Sequence, residues 1–498
     1  MPHPVPPPVV SATVGAPIAV ADPRLFGSFV EHLGRGVYGG IYEPGHPSAT
    51  VDGFRGDVLD LVKELGVTVV RYPGGNFVSG YDWRDGIGPR DERPRRLDLA
   101  WKSIETNEFG TDEFVGWCRA AGVEPMLAVN LGLGDITSML RLVEYTNHPS
   151  GTALSDERVR NGAEQPHDVR LWCLGNELDG PWQLGHRTAE QYAELAASAA
   201  SALRMFDADL ELVAVGSSNA QMPTFGTWER TVLARTVGLV DYLSCHIYFY
   251  DDGDLPAFLD SSRVLDGFLE EIAGIIREAR EADPASRDVR ISLDEWNVWN
   301  YRAYDELKPA RAFEQAPRIL EDQYTLADAV VVGTLLQSIL AHADVVSIAA
   351  MAQLVNVIGA IRAEPGADAW RQTTFYPFAQ VARSAGHTVY TVEQDDASRI
   401  SASATRSPDG SQVLVHLANR SVDETVAIEI ELASLDCFAI EHAEVLWDAD
   451  PHAANTQQAP LTVAPRPLAA ELDGTLLRVT LPPVSWAGIR LASRPNRG

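Results

Sequence analysis

The chain has 498 residues, with 40 lysines and arginines against 69 aspartates and glutamates, a formal net charge of −29, and 45% hydrophobic and 22% charged residues. That is the composition of a folded globular protein, about three domains at ~150 residues each, and not of a disordered one. The acidity speaks against a surface that tracks nucleic-acid phosphates; no apolar run reaches the ~18 residues of a membrane span; and cysteines at 118, 173, 245 and 437 only, none in a CxxC pair, are too few for a disulfide framework.

The N-terminus, MPHPVPPPVV, has no basic segment followed by an apolar one, so no signal peptide and a cytoplasmic location are expected. VVSATV and APIAV then read as one or two strands. From about residue 25 to 350, short β-rich runs alternate with helical patterns. The expected strands are Phe26–Glu31, Thr68–Tyr72, Pro125–Asn130, Val169–Leu174, Leu210–Val215, Tyr242–His246, Val289–Leu293 and Val345–Met351. Among the helices, GDVLDLVKELG places Val58, Leu61, Val62 and Leu65 on one face and stops at Gly66. GTDEFVGWCRAAG predicts Thr111 as N-cap and Gly122 as the stop. TAEQYAELAASAASALRMF opens with Thr188 and Gln191 at capping-box spacing. Cys118, Cys173 and Cys245 fall in apolar runs and read as buried thiols.

Eight alternations predict a (β/α)₈ TIM barrel over residues 19–378. No GxGxxG or GxxxxGK[ST] follows the first strand, which disfavours a doubly wound nucleotide-binding sheet. After about residue 380 the helical periodicity stops. Short runs alternate with turn signals, including Pro408-Asp409-Gly410 and Asp473-Gly474. This predicts a jelly-roll-like antiparallel β-sandwich from residues 379–498, with residues 1–18 adding a strand or two.

Barrel enzymes place their sites at the C-terminal ends of the strands. Here those ends read Glu31-His32, Arg71 to Asn76, Asn130, Gly175-Asn176-Glu177, Gly216 to Asn219, His246-Ile247-Tyr248, Asp294 to Trp299 and Gln353 to Asn356. Converging on one face, they would make a polar pocket with aromatic walls, which suits a sugar. Glu177 and Glu295 end strands four and seven and can meet across the mouth. Two carboxyls about 5–5.5 Å apart are the equipment of a retaining glycosidase, one ionised and one protonated. Tyr248 could fix the Glu295 rotamer, and Trp299 offers an apolar face to a sugar ring. His246 reads equally as a residue orienting a carboxylate or as a satisfied structural histidine. The histidines show no HxH or HExxH spacing and there is no GxSxG, so no metal, no cofactor and no serine triad are expected.

The strings GNELDGPWQLGH (175–186), RYPGGNFVSGYDWRDGIGP (71–89), WKSIETNEFGTDEF (101–114), DEWNVW (294–299) and AQLVN (352–356) together resemble glycoside hydrolase family fifty-one. The resemblance implies a retaining, exo-acting α-L-arabinofuranosidase on a (β/α)₈ scaffold, acting without a cofactor on arabinofuranosyl oligosaccharides derived from arabinan or arabinoxylan. It implies Glu177 as acid/base and Glu295 as nucleophile. It places Glu31, Asn76, Asn176, Tyr248 and Gln353 around the sugar and Trp299 near the entrance, and it implies a homohexamer. The two glutamates alone leave open an endoglucanase or β-xylosidase on the same scaffold, or a non-catalytic carbohydrate-binding protein.

Overall fold

A computed structural model describes residues 7–301, 304, 306, 311–395, 398–432 and 438–493, so Cys437 lies outside the described residues. Eight parallel strands close into a barrel in chain order: Gly27–Phe29, Val69–Tyr72, Glu124–Ala128, Leu171–Cys173, Glu211–Ala214, Tyr242–Phe249, Arg290–Val298 and Val346–Ala352. The barrel interior is filled by Val69, Met126, Leu171, Val213 and Ile348, while the opposite faces pack on helices. Strands covered on both faces are apolar almost throughout, which is why they read as continuous runs.

The helices begin and end where local chemistry dictates. Gly56–Leu65 closes on Gly66 at φ 81, and Thr111–Ala121 on Gly122 at φ 77, left-handed positions that glycine occupies without Cβ strain. Thr188 and Gln191 cap Ala189–Phe206 reciprocally, at 3.3 and 3.0 Å. The expected cap at Thr111 is displaced by one residue. Gly110 is the N-cap, because the Glu113 carboxylate accepts the Gly110 N–H at 2.9 Å and leaves no work for a threonine hydroxyl.

The second unit is a ten-stranded sheet ordered Arg466–Pro467, Phe438–Leu446, Ser485–Ser493, Gln412–Asn419, Ile400–Arg406, Thr388–Gln394, Val9–Val20, Val426–Glu431, Leu476–Leu481, Ala470–Asp473. Strands near both ends of that order contribute to one apolar core, so the sheet rolls over on itself. Its pairing departs from the antiparallel expectation at one place. Val9–Val20 runs parallel to Val426–Glu431, since a strand from the other end of the chain enters without a hairpin. Gly410 and Gly474 take φ 70 and 63 at the two hairpins read from the sequence.

Helix Leu326–Ala341 is buried along its length between barrel and sheet. Gly333 lies against Trp486, and a Cβ there would come within 2.3 Å of the indole. Gln337 Nε2 donates to the His416 carbonyl at 2.9 Å.

Candidate active site

Strand Tyr242–Phe249 is regular, so Ser244, His246 and Tyr248 share one face. Strand Arg290–Val298 is not. Against its sixth-strand neighbour, three residues, Ser292 to Glu295, advance while the partner moves two, Ser244 to His246. The same slip appears against the eighth strand, from Leu293–Ala349 to Trp296–Met351. This bulge lets the consecutive residues Asp294 and Glu295 both reach the barrel interior, which a regular pleat forbids. It also carries the strand on to Val298, so that Glu295 lies within the strand and not beyond its end.

Arg71, 1% exposed, stands between them. Its guanidinium donates to Glu295 Oε1 at 2.7 Å and to Asn176 Oδ1 at 2.7 Å, faces Asp294 Oδ2 at 3.3 Å, and lies 4.9 Å from the centre of the Phe29 ring. The Tyr248 hydroxyl donates to Glu295 Oε2 at 2.8 Å. Just past the fourth strand, Gly175 at φ 103 and Glu177 at φ 42 depart from the extended chain, and Asn176 and Glu177 both turn inward. A left-handed glutamate costs on the order of 1 kcal/mol or more, strain of the kind held at functional sites. Glu177 Oε1 lies 2.9 Å from His246 Nδ1, and Glu177 Oε2 accepts the Trp182 indole N–H at 2.8 Å. Oxygens of Glu177 and Glu295 and a His246 nitrogen lie within 4.8 Å of one another. By donor type these three could hold a cation, but Arg71 already supplies positive charge to Glu295 there.

The opposite wall is built on Glu31. Its Oε1 accepts the Phe77 amide and the Trp101 indole, both at 2.8 Å, and its Oε2 accepts Gln353 Nε2 at 3.2 Å. Gly74 and Gly75 pass between these groups with no positive φ. What they provide is the absence of a side chain. A Cβ on Gly75 would come 3.0 Å from Glu295 Oε1, and one on Gly74 2.7 Å from Glu31 Cγ. Asn76 follows, half-buried, at the N-cap position of a short 3-10 turn, and its side chain makes no cap hydrogen bond. Asn176 Nδ2 is a buried donor with no partner.

The charges are uneven. Burial alone would lower the His246 imidazole, but Glu295, Asp294 and Glu177 outweigh it and push it up to about 10. Burial alone would raise Asp294; the Arg71 guanidinium beside it holds it below the usual carboxylate range. Burial raises Glu295, with His246 and Arg71 opposing and the Glu177 charge adding to the rise. Burial pushes Glu31 up to about 8. Two cations, Arg71 and the His246 imidazolium, thus face three carboxyls, Asp294, Glu295 and Glu177, an excess that one proton neutralises.

Four of the expected residues, Asn176, Glu177, Tyr248 and Glu295, belong to one network joined through Arg71, Asp294 and His246; Glu31 and Gln353 are bonded to each other on the facing wall, and Asn76 follows the glycines between the two groups. Trp299 stands edge-on to Tyr248, ring centres 5.1 Å apart. At two strand ends the side chains are spent on neighbouring groups. Asn130 Oδ1 accepts the amides of Gly132, Leu133 and Gly134, and Ser218 is bound to Asp179. Of the two readings open for His246, the structure gives the orienting one. Arg71 and Asp294 fall among the expected strand ends, and Trp101 and Trp182 within the quoted strings, but none of the four is given a role by the sequence. Arg71 carried a signal, a lone charge inside the apolar run VVRY.

Residues 61–260 match the family description "Alpha-L-arabinofuranosidase 1 domain", and residues 294–485 match "Alpha-L-arabinofuranosidase C-terminal domain". An intracellular exo-α-(1→5)-L-arabinofuranosidase of Streptomyces lividans is 48% identical, covering 96% of this chain and 74% of its own. An exo-α-(1→6)-L-arabinofuranosidase of Bifidobacterium longum is also 48% identical, covering 95% of each. A solved family 51 α-L-arabinofuranosidase of Bifidobacterium longum superposes with a TM-score of 0.95 at 44% identity, over 99% of this chain and 100% of that one.

Proposed function

The chain belongs to the α-L-arabinofuranosidases of glycoside hydrolase family fifty-one, and on that premise we propose that it removes terminal α-L-arabinofuranosyl units by a retaining double displacement. Glu295 is the nucleophile. Its two oxygens hold the permanently charged Arg71 and the Tyr248 hydroxyl, donors that favour the anion and fix its direction. Glu177 is the acid/base, bound to the His246 ring and the Trp182 indole. The observation that supports the reading is that an oxygen of Glu177 and an oxygen of Glu295 lie within 4.8 Å of each other across the pocket, a closeness compatible with the spacing of about 5–5.5 Å used for direct attack.

In the first step Glu295 attacks the anomeric carbon while Glu177 protonates the leaving oxygen, giving a covalent arabinosyl-enzyme. In the second, Glu177 takes a proton from water, which displaces Glu295 and releases arabinose. The unpartnered Asn176 Nδ2 is placed to donate to the sugar 2-hydroxyl, a bond that tightens in the transition state. Glu31 and Gln353, with Asn76, bind the remaining hydroxyls, and Trp299 flanks the entrance. The substrates we propose are short arabino-oligosaccharides met inside the cell, the setting named for the Streptomyces relative, and the oligomer we propose is the hexamer implied by family resemblance. Relatives named for 1→5 and 1→6 linkages are both 48% identical to this chain, and we propose that linkage choice rests on local contacts around the mouth.

Proton NMR of arabinose as it forms from an aryl α-L-arabinofuranoside tests the mechanism. The α-anomer should appear first, and initial β-anomer would refute double displacement. Glu295→Ala should lose on the order of 10⁴-fold or more in kcat with every substrate. Glu177→Ala should keep most of its kcat/KM only where the leaving group needs no proton, and should lose kcat with every substrate because the second step lacks its base. If neither variant loses at least about 10²-fold on oligosaccharides, the pair is misassigned.

A further inference from the structure

We propose that Trp182 is a positioning residue for the acid/base and, through its exposed face, the platform for the leaving group; the inference rests on Glu177 being the acid/base. Trp182 is 46% exposed, the one tryptophan among the described residues with more than a third of its surface in solvent, yet its N–H donates to Glu177 Oε2 at 2.8 Å. The turn that joins them is short. The Gly180 amide donates to the Glu177 carbonyl at 2.8 Å, and the indole lies directly on Gly180, where a Cβ would come 2.5 Å from the ring. Carboxyl and ring therefore ride on one turn of chain in a fixed relation.

The chemistry follows from the indole being a donor only. When Glu177 gives its proton to the departing oxygen and the glycosidic C–O bond breaks, the carboxylate keeps the negative charge. A neutral N–H aimed at Oε2 stabilises that anion without competing for the proton, and it holds the same anion ready to take a proton from water in the second step. A leaving group whose oxygen touches Glu177 also lies within about a ring's width of the indole, whose apolar face matches the C–H face of a sugar. The titratable groups that face Glu177 are His246 from the sixth strand, Glu295 and Tyr248 across the pocket, and Asp179 on its own turn.

The test compares arabino-oligosaccharides with a dinitrophenyl arabinofuranoside, whose phenolate departs without a proton. Trp182→Phe keeps a ring and loses the donor. It should lower kcat/KM about tenfold or more on the oligosaccharides and less than about threefold on the dinitrophenyl substrate. It should also move the alkaline limb of kcat/KM to higher pH, because the anion has lost a donor. Trp182→Ala should add a rise in KM for oligosaccharides, and Gly180→Ala, which displaces the ring without altering it, should follow Trp182→Ala. Equal losses on both substrates, or no loss on either, would overturn the proposal, as would an unmoved alkaline limb; a uniform loss with a lowered melting temperature would mark a structural role. Glu177→Ala, run alongside, separates the two readings. If that variant retains oligosaccharide activity, the acid/base assignment itself fails. If it shows the leaving-group dependence and Trp182→Phe does not, only the tryptophan inference falls.

Discussion

At the N-terminal end of the barrel Arg24 bridges Glu124 and Glu211, at 2.6 and 2.7 Å, and the Tyr242 hydroxyl adds a bond to Glu211. At the C-terminal end Arg71 bridges Asp294 and Glu295, at 3.3 and 2.7 Å. The ingredients match and the settings differ. The Arg24 cluster is 19–32% exposed, and every guanidinium nitrogen of Arg24 has an acceptor. Around Arg71 the side chains are at most 8% exposed, Arg71 Nε lacks a well-aligned acceptor, and the neighbouring Asn176 Nδ2 has none. One end spends its polar groups on itself. The other keeps donors unspent, in surroundings where an unmet donor costs about 1–3 kcal/mol until something binds it.

The sharpest way to break this contrast is Arg71→Met. It should lower kcat by about 10²–10³-fold and, by leaving Asp294 and Glu295 buried without their partner, destabilise the fold by about 3–5 kcal/mol, read from kinetics and a urea midpoint. A fall in stability with kcat intact would place Arg71 with Arg24. Glu31→Gln should give a smaller, pH-dependent effect in the sugar-free protein. The folded-state value of about 8 lies above the ordinary 4.5, so the contribution of Glu31 is fully present below about pH 4.5 and is lost as pH rises to about 8. The stability of the wild type relative to the glutamine variant should therefore decline across that window and stay level above it. A flat difference would show that Glu31 is not held protonated. Arg24→Met should do least, lowering stability by about 1 kcal/mol and leaving kcat/KM within about twofold, since a part-exposed pair is screened by water.

All eight barrel strands were legible because doubly buried strands announce themselves as apolar runs, and their polar ends pointed to most of the pocket. Partners were not legible. Arg71 is 224 residues from Glu295 and 105 from Asn176, and only closure of the barrel brings them together. The two glycines before Asn76 leave space beside Glu295 and Glu31, a use that no linear string displays. Trp182 sat in a quoted motif, but nothing in a linear string says that a tryptophan is exposed and bonded to a carboxylate at once. The strand ends at Asn130 and Ser218 looked like pocket residues because a side chain spent on its own loop, or on a neighbouring carboxylate, has the same polar signature as one that meets a ligand.

The slip of register between Ser292 and Glu295 has a consequence for engineering. A barrel idealised to a uniform pleat over these eight strands could retain its hydrophobic layers and its closure, yet it would turn one of the two adjacent acids toward the helices. The activity is thus encoded in a local irregularity that any procedure rewarding regularity would erase, and a designer transplanting this chemistry must copy the defect together with the residues.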